Sequence, residues 1–345
     1  MASAEILNPV EDDSYDRELA AHPEAGIFHS SAWAKVIGRE YGWKAAFLVI
    51  RRKGKVCSLL PMMEGQSVFK GKRAVSMPFA DFCPVLAENE NDAKELWSRA
   101  LVLGRERRWK YIELRGSPRV RPEATPSVSF WGHILELGPD ENALFDGVDS
   151  SARRAVRKAR DCGVVVERAE TIEGVRIFYR LHCKTRKKHG LPPQPWSFFS
   201  NIYEHILSKG FGLLLVARCE GKPISSAMFF HWGKQAIYKF GASDPASDQL
   251  RGNNLVMWEG ITFYSKSGVH QLHFGRTSRN NDGLRRYKLG WGAREHEIEY
   301  QKFDFRAARF VSDKDRAEGW HNQIFNKIPA ALLRAAGGIL YRHME

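Results

Sequence analysis

Apolar residues in this chain fall into runs whose spacing marks out elements. At positions 47–62, FLVIRRKGKVCSLLPM is two apolar runs joined across a charged Gly-Lys pair, the pattern of a β-hairpin. LLVARCEGKPISSAMF at 214–229 has the same form. Aligned without a gap, the two windows agree at six of sixteen positions: Leu48/Leu215, Val49/Val216, Arg51/Arg218, Gly54/Gly221, Lys55/Lys222 and Ser58/Ser225. After the first hairpin the pattern predicts a strand near 74–77, an irregular loop, a helix from about 91 to 107 and the strand YIELRG at 111–116. After the second it predicts the strand AIYKFGAS at 236–243, the loop DPASDQLRG, a helix from about 253 to 266 and the strand QLHFGRT at 271–277. The order hairpin, strand, loop, helix, strand thus occurs twice, which predicts two copies of one α/β unit. GPDENALFDGV (138–148) breaks the apolar pattern and sets the expected boundary, giving domains at 1–145 and 146–345.

In each copy a mostly antiparallel sheet would gain one parallel pair from the strand–helix–strand crossover. This element order resembles the acetyltransferase (GNAT) fold. The predicted fold class is therefore α/β (α+β), as two tandem GNAT-like acyltransferase domains, the second with a C-terminal helical tail. In that fold the crossover helix aims its unpaired N–H groups at a pyrophosphate or carboxylate. Arg251, Gly252, Asn253 and Asn254 sit where the second such helix begins, with Gly252 permitting close backbone approach. Either Asn also fits a simple helix cap.

Composition narrows the class. With 43% hydrophobic and 27% charged residues the chain reads as a folded globular protein, neither disordered nor fibrous. Its first twenty residues are acidic where a signal peptide is basic, and no apolar stretch approaches the ~20 residues of a membrane-spanning helix. Five scattered cysteines without metal or redox spacing read as thiols in a reducing compartment, so the expected location is the cytoplasm. No metal site is predicted; His182, Cys183 and His189 lack ligand spacing. Net charge is +13, and RRAVRKAR (153–160) and KTRKKH (184–189) concentrate the basic residues. An anionic partner follows: RNA, a nucleotide-linked precursor, coenzyme A phosphates or an anionic lipid surface. Arg153 and Arg157 are the candidate phosphate contacts, on a helix that Ser151 would cap.

SSAWAKVIGREYGW, RRAVRKARDCGVVVE, KKHGLPPQP, YKFGASDPASDQLRGNNLVMWEGI and FGRTSRNNDGLRRYKLGWGA together resemble the Fem family of aminoacyl and peptidyl transferases and their GNAT-domain relatives, from Trp33 to about Ala293. The resemblance implies attack by an amine on an activated ester or thioester, with aminoacyl-tRNA or acyl-coenzyme A as co-substrate and no bound cofactor. It implies an acceptor in cell-wall (peptidoglycan), cell-envelope or exopolysaccharide biogenesis. Tyr287-Lys288 stands where the family has its Phe-Lys pair, which makes Lys288 the implied oxyanion cation. The family's Lys after the early Trp and its Arg in the His-Gly loop are replaced here by Ile37 and Gln194, so a different acceptor amine is open.

Amine acyl transfer needs a neutral amine, a held carbonyl and positive charge where the oxyanion develops. Lys288, with Tyr287, and the planar fork of Arg276 are the candidates for the charge and for gripping a carboxylate or phosphate. Asp244, Asp282 and Asp81 are the acidic residues from which a base could come, and each also fits a turn. A coenzyme-A-dependent acetyltransferase of a small amine remains an alternative, although Arg251-Gly252 continues into Asn253-Asn254 rather than a second glycine. A non-catalytic nucleic-acid-binding protein is the third reading. Apolar residues around Ile324, Ile328, Leu332 and Leu333 predict that the segment 320–341 packs on the second domain, with docking to a membrane surface as the other option.

Overall fold

The computed structural model describes residues 3–67, 70–116 and 124–313, with residues 333, 337, 338, 340 and 341 near the C-terminus. In chain order the elements are β1 (Glu5–Leu7), α1 (Tyr15–Leu19), α2 (Ser31–Tyr41), β2 (Lys44–Ala45), β3 (Phe47–Arg52), β4 (Lys55–Leu60), β5 (Met63–Ser67), β6 (Gly71–Val75), α3 (Glu90–Glu106), β7 (Tyr111–Arg115) and β8 (Val128–Glu136). They continue with α4 (Glu141–Asp146), α5 (Ser150–Asp161), β9 (Val165–Arg168), α6 (Ile172–Lys188), α7 (Trp196–His205), β10 (Gly212–Cys219), β11 (Lys222–Trp232), β12 (Gln235–Ser243), α8 (Gly252–Lys266), β13 (Gln271–Ser278), α9 (Asp282–Leu289) and β14 (Arg294–Asp304).

Both expected hairpins form, and they agree in detail. Lys53 and Gly54 turn β3 into β4 with φ of 52° and 71°, and Glu220 and Gly221 turn β10 into β11 with φ of 50° and 73°. Positive φ at both central positions is the type I′ turn, whose twist matches that of the strands it joins. Each hairpin then carries an irregularity at the same aligned place. Ile50 pairs Ser58 and Arg51 pairs Val56; Ala217 pairs Ser225 and Arg218 pairs Pro223. The ungapped sequence match therefore extends to the bulge, which a chance likeness of two apolar runs would not explain. No neighbouring atom lies within 4 Å of a Cβ placed on Gly54 or Gly221, so only backbone strain opposes a side chain there. Gly54→Val and Gly221→Val are each expected to cost about 1–2 kcal/mol, read as two similar drops in denaturation midpoint.

The two crossovers are also present. β6 and β7 pair in parallel at Ala74↔Ile112 and Val75↔Glu113 across α3. β12 and β13 pair in parallel from Gln235↔Gln271 to Ile237↔His273 across α8. The second pairing ends there although β12 runs on to Ser243 and β13 to Ser278, so their C-terminal halves part. The first compact unit lies within Met1–Trp131 and Glu297–Asp315; the second comprises Gly132–His296 and the described residues near the C-terminus. In the first unit β7 takes its antiparallel partner from the far end of the sequence, from Tyr300↔Arg115 to Asp304↔Tyr111. The expected division at 145/146 lies at α4, inside the second unit.

In the second unit, aromatic residues fill the space between α5, α8 and the sheet, with Phe229, Trp258, Tyr264 and Trp291 all buried. A smaller aromatic group, Phe178, Phe198, Phe199 and Phe240, surrounds His182 under α6 and α7. Burial lowers the His182 imidazole to about 3, and it lowers His29, in the first unit, to about 4. Both are uncharged in the fold, whereas an unfolded chain protonates them near the ordinary value of 6.5. Between those values the unfolded state binds more protons, so stability is expected to fall as pH drops from about 6.5 toward 4. His182→Phe or His29→Gln should flatten that acid limb in chemical denaturation series.

Most of the segment 320–341, including Ile324, Ile328 and Leu332, lies outside the described residues. Of those described, Leu333 and Tyr341 are buried. The Tyr341 hydroxyl donates to the Pro192 carbonyl at 3.2 Å and accepts from Arg186 at 2.5 Å. Among the described residues no helix is long and apolar enough to cross a membrane.

Candidate functional site

The two crossover helices begin differently, and the difference locates the site. Asn89 caps α3, accepting from the Asp92 N–H at 3.0 Å, and Glu90 and Asp92 occupy its first turn. Arg52 holds the Asp92 carboxylate at 2.6 and 2.8 Å, and Ser58 donates to it at 2.6 Å. A capped start carrying two acids repels an anion. Helix α8 begins at Gly252 after Arg251, whose side chain makes no cap, and its first turn holds no acid. Asn253 and Asn254 lie within that turn, so neither is the cap. Arg251 holds φ of 58°, a left-handed conformation that favours glycine. A Cβ on Gly252 would meet Ile224 at 2.8 Å and Ser225 at 3.3 Å, so the glycine lets the helix start close against β11.

Two cavities meet at this start, sharing Asn253 and Tyr287. One, of about 350 Å³, opens where β12 leaves β13, among Ser225, Tyr238, Gly241, Asn253, Leu284 and Tyr287. Burial pushes the Tyr238 phenol up to about 12. Burial likewise raises Tyr287 well above the ordinary tyrosine range, with Tyr238 beside it adding to the rise. Both hydroxyls are therefore protonated donors at neutral pH. The other cavity, of about 470 Å³, is basic: Arg154, Lys158, Arg251 and Arg286 line it, with Asp149 the acidic residue there.

The basic helix α5 divides its charges between two faces. At 100° per residue, Ser151, Arg154, Ala155 and Lys158 form the stripe on the basic cavity. Arg153, Arg157 and Arg160 turn elsewhere: Arg153 reaches Asp146 at 3.4 Å, Arg157 lies over the Phe145 ring at 5.7 Å, and Arg160 pairs Glu259 at 3.1 Å. Arg154 and Lys158 thus hold the place expected of Arg153 and Arg157. The small residues Ser151 and Ala155 on the same stripe were the sequence signal that could have shown it, since they leave room for a ligand. The helix starts after Asp149 rather than after Ser151, which lies in its first turn.

Lys288 lines neither cavity. It is 3% exposed, and its ammonium donates to the carbonyls of Gly275 at 3.1 Å and Arg276 at 3.0 Å, where β13 ends. Lys288, expected as the oxyanion cation, is buried on the strand side of α9, next to Tyr287 on the cavity side. Arg276 is half-buried and lines neither cavity. Asp244 is buried and accepts from the Ala246 N–H at 3.2 Å and from Lys184 at 2.6 Å. The Lys184 ammonium holds its carboxyl below the usual range, which makes it a weak base and a good turn residue. Ile37 is fully buried, and Gln194 bonds His182 at 2.8 Å, so both positions serve the fold. Among the described residues no group of three or more His, Cys, Asp or Glu is placed to hold a metal ion.

A hairpin followed by a strand–helix–strand crossover occurs in both units, and in the second the crossover strands part beside an open helix start, an acyltransferase-type architecture. Residues 148–289 match the family described as Acetyltransferase (GNAT) domain. Among solved structures the chain is similar to FemX, at 15% identity and a TM-score of 0.71 over 86% of this chain and 96% of that one. It is similar to a tandem GNAT protein from the clavulanic acid biosynthesis pathway, at 11% identity and a TM-score of 0.54 over 88% and 98%. L-PGS from Bacillus licheniformis is a further match, at 9% identity and a TM-score of 0.55 over 96% and 98%. At such identities these likenesses establish the tandem GNAT fold. No curated protein matches the sequence.

Proposed function

We propose that this chain is an N-acyltransferase that moves an aminoacyl or acyl group from an anionic carrier to an amine. The observation that carries the reading is the start of α8, uncapped and free of acids, ringed by Arg154, Lys158, Arg251 and Arg286 beside the cavity of Tyr238 and Tyr287. Carrier phosphates would lie in the basic cavity against the helix N-terminus. The activated carbonyl would extend toward the parting of β12 and β13. Tyr287 and Tyr238 supply hydroxyls to orient it or to protonate the leaving group. Lys288, buried behind Tyr287 on the strand side of α9, would offset developing oxyanion charge through the field of its cation rather than by direct contact.

Aminoacyl-tRNA is the donor we favour, because α5 adds Arg154 and Lys158 to the helix start and so widens the anion site beyond a single pyrophosphate. An acyl-coenzyme A donor is the second reading, supported by the acetyltransferase domain match over 148–289. The acceptor would be an amine of the cell envelope or a small amine. The test is transfer of a labelled group from each donor class to amine acceptors by the purified chain. Arg251→Gly is the informative variant. Glycine relieves the left-handed strain, so stability should change by no more than about 1 kcal/mol. Donor affinity should fall about tenfold, because the variant removes a charge-assisted hydrogen bond to the carrier. Unchanged affinity with every donor would remove the anion site from this reading. Asp244→Asn should leave turnover within about twofold and lower stability by about 1 kcal/mol.

A further inference from the structure

His189 lines the cavity where β12 leaves β13, together with Tyr238 and Tyr287, and the transfer chemistry above gives it no task. The residue follows the last turn of α6 and precedes Gly190. Gly190 takes φ of 64° and its N–H donates to the Lys187 carbonyl at 3.0 Å, while the Leu191 N–H reaches back to the Arg186 carbonyl at 2.9 Å. A left-handed glycine with such a backward bond ends a helix sharply. The chain therefore turns away directly after His189.

Side-chain contacts fasten this end of α6 to the end of β12 and the turn after it. The Thr185 hydroxyl donates to the Ser243 carbonyl at 3.1 Å and accepts from the Ser243 N–H at 2.8 Å. Lys184 pairs Asp244 at 2.6 Å, and Lys188 pairs Asp248 at 2.7 Å. Thr185 and Ser243 line the cavity as well. His189 comes four residues after Thr185 and so continues the same face of the helix. The His189 ring is open to solvent, and no described residue hydrogen-bonds it, which leaves its lone pair to an occupant of the cavity.

We propose that His189 is the proton acceptor of the acyl transfer, taking the proton of the attacking amine inside this cavity. This rests on the acyl-transfer reading above. The amine nitrogen bonds to the acyl carbon, and the carbonyl electron pair moves onto oxygen. The proton lost from nitrogen passes to the imidazole. The oxygen pair then returns, the carbon–oxygen or carbon–sulfur bond to the carrier breaks, and the Tyr287 hydroxyl protonates the departing oxygen or sulfur. The imidazolium proton restores the tyrosine after the product leaves.

The electrostatics separate the two roles. Burial against the cavity wall first, and then the charges of Lys188 and Arg186, hold His189 below the ordinary histidine value of 6.5, so the ring is unprotonated at neutral pH. Burial raises both tyrosines, Tyr238 to about 12, and keeps them protonated. Neighbouring titratable groups whose environments push them apart mark the base and the acid of a site. Among the described residues that line this cavity, the imidazole is the group able to accept a proton near neutral pH. The other charges at this end of α6, Lys184, Lys188, Asp244 and Asp248, are held in ion pairs.

Two measurements test the proposal. NMR titration of His189 in the intact chain should place its midpoint below 6.5. A midpoint above about 7 would mean a protonated ring at working pH and would overturn the proposal without any substrate. In the transfer assay, with whichever labelled donor the wild-type chain uses, His189→Asn and His189→Gln should lower kcat about a hundredfold or more with KM within about twofold. The variants should also lack the acid limb of the wild-type kcat profile, and added imidazole should restore part of the rate to His189→Ala. The ring is exposed, so these variants should fold normally. A folded variant with wild-type kcat, or a slow one that keeps the acid limb and does not respond to imidazole, would refute the role of His189 while leaving acyl transfer in place. An inactive wild-type chain with every donor would instead refute acyl transfer, and this proposal with it.

Discussion

Lys288→Met is expected to cut transfer by about a hundredfold or more while lowering stability by about 1–3 kcal/mol. The activity loss follows from removing the charge proposed to meet the oxyanion, an interaction strongest in the transition state, so acceptor KM should change little. The stability loss follows from burial. At 3% exposure the ammonium satisfies the carbonyls of Gly275 and Arg276, and methionine leaves both without that donor. An exposed cleft lysine would have shown only the first effect. Lys288→Arg should recover part of the activity, because a planar fork cannot place its charge where the ammonium sits. Paired measurements of turnover and denaturation midpoint decide the matter. Full activity in a folded Lys288→Met protein would end the mechanism, and a wild-type midpoint would mean that the carbonyl hydrogen bonds contribute nothing.

Replacing Arg154, Lys158 and Arg286 together with Gln should weaken donor binding by at least about a hundredfold, at roughly 1.5 kcal/mol for each charge-assisted hydrogen bond removed. If the donor is a nucleic acid, the slope of log affinity against log salt should fall by about 0.7 for each single-strand phosphate no longer neutralised. Arg153→Gln with Arg157→Gln is the internal control. Those arginines meet Asp146 and Phe145, so their replacement should change affinity no more than about threefold. The reverse ranking, with the control pair weakening binding more than the triple variant, would place the carrier on the other face of α5. All three substituted residues are exposed or line an open cavity, so the triple variant should fold normally.

Much of the fold is legible in the residues because the signals are local. A charged residue followed by Gly between apolar runs, Lys53-Gly54 and Glu220-Gly221, suits a two-residue type I′ hairpin, and two copies with six matching positions point to a repeat. The crossover helices and their flanking strands fell within a few residues of their expected ends for the same reason. The aromatic-Lys pair and the open start of α8 could also be read directly, since Arg251, Gly252, Asn253 and Asn254 adjoin in sequence.

Contacts between segments distant in sequence were decided only by the tertiary structure. Helical periodicity places Arg153 and Arg154 about 100° apart but cannot say which face meets a cavity, because that depends on how α5 packs against α8. Neighbouring positions 287 and 288 likewise point to different sides of α9, so one motif contributes a cavity tyrosine and a buried lysine. Asp244 looked like a free acid until α6, sixty residues earlier, brought Lys184 to it. The strand that completes the first unit beside β7 likewise comes from residues 300–304. Sequence by itself determined the elements and their repetition, because hydrogen bonds between near neighbours and turn stereochemistry are set by adjacent residues. Which charges are buried, paired or left to act was decided by burial and by long-range contacts, and those exist only once the chain has folded.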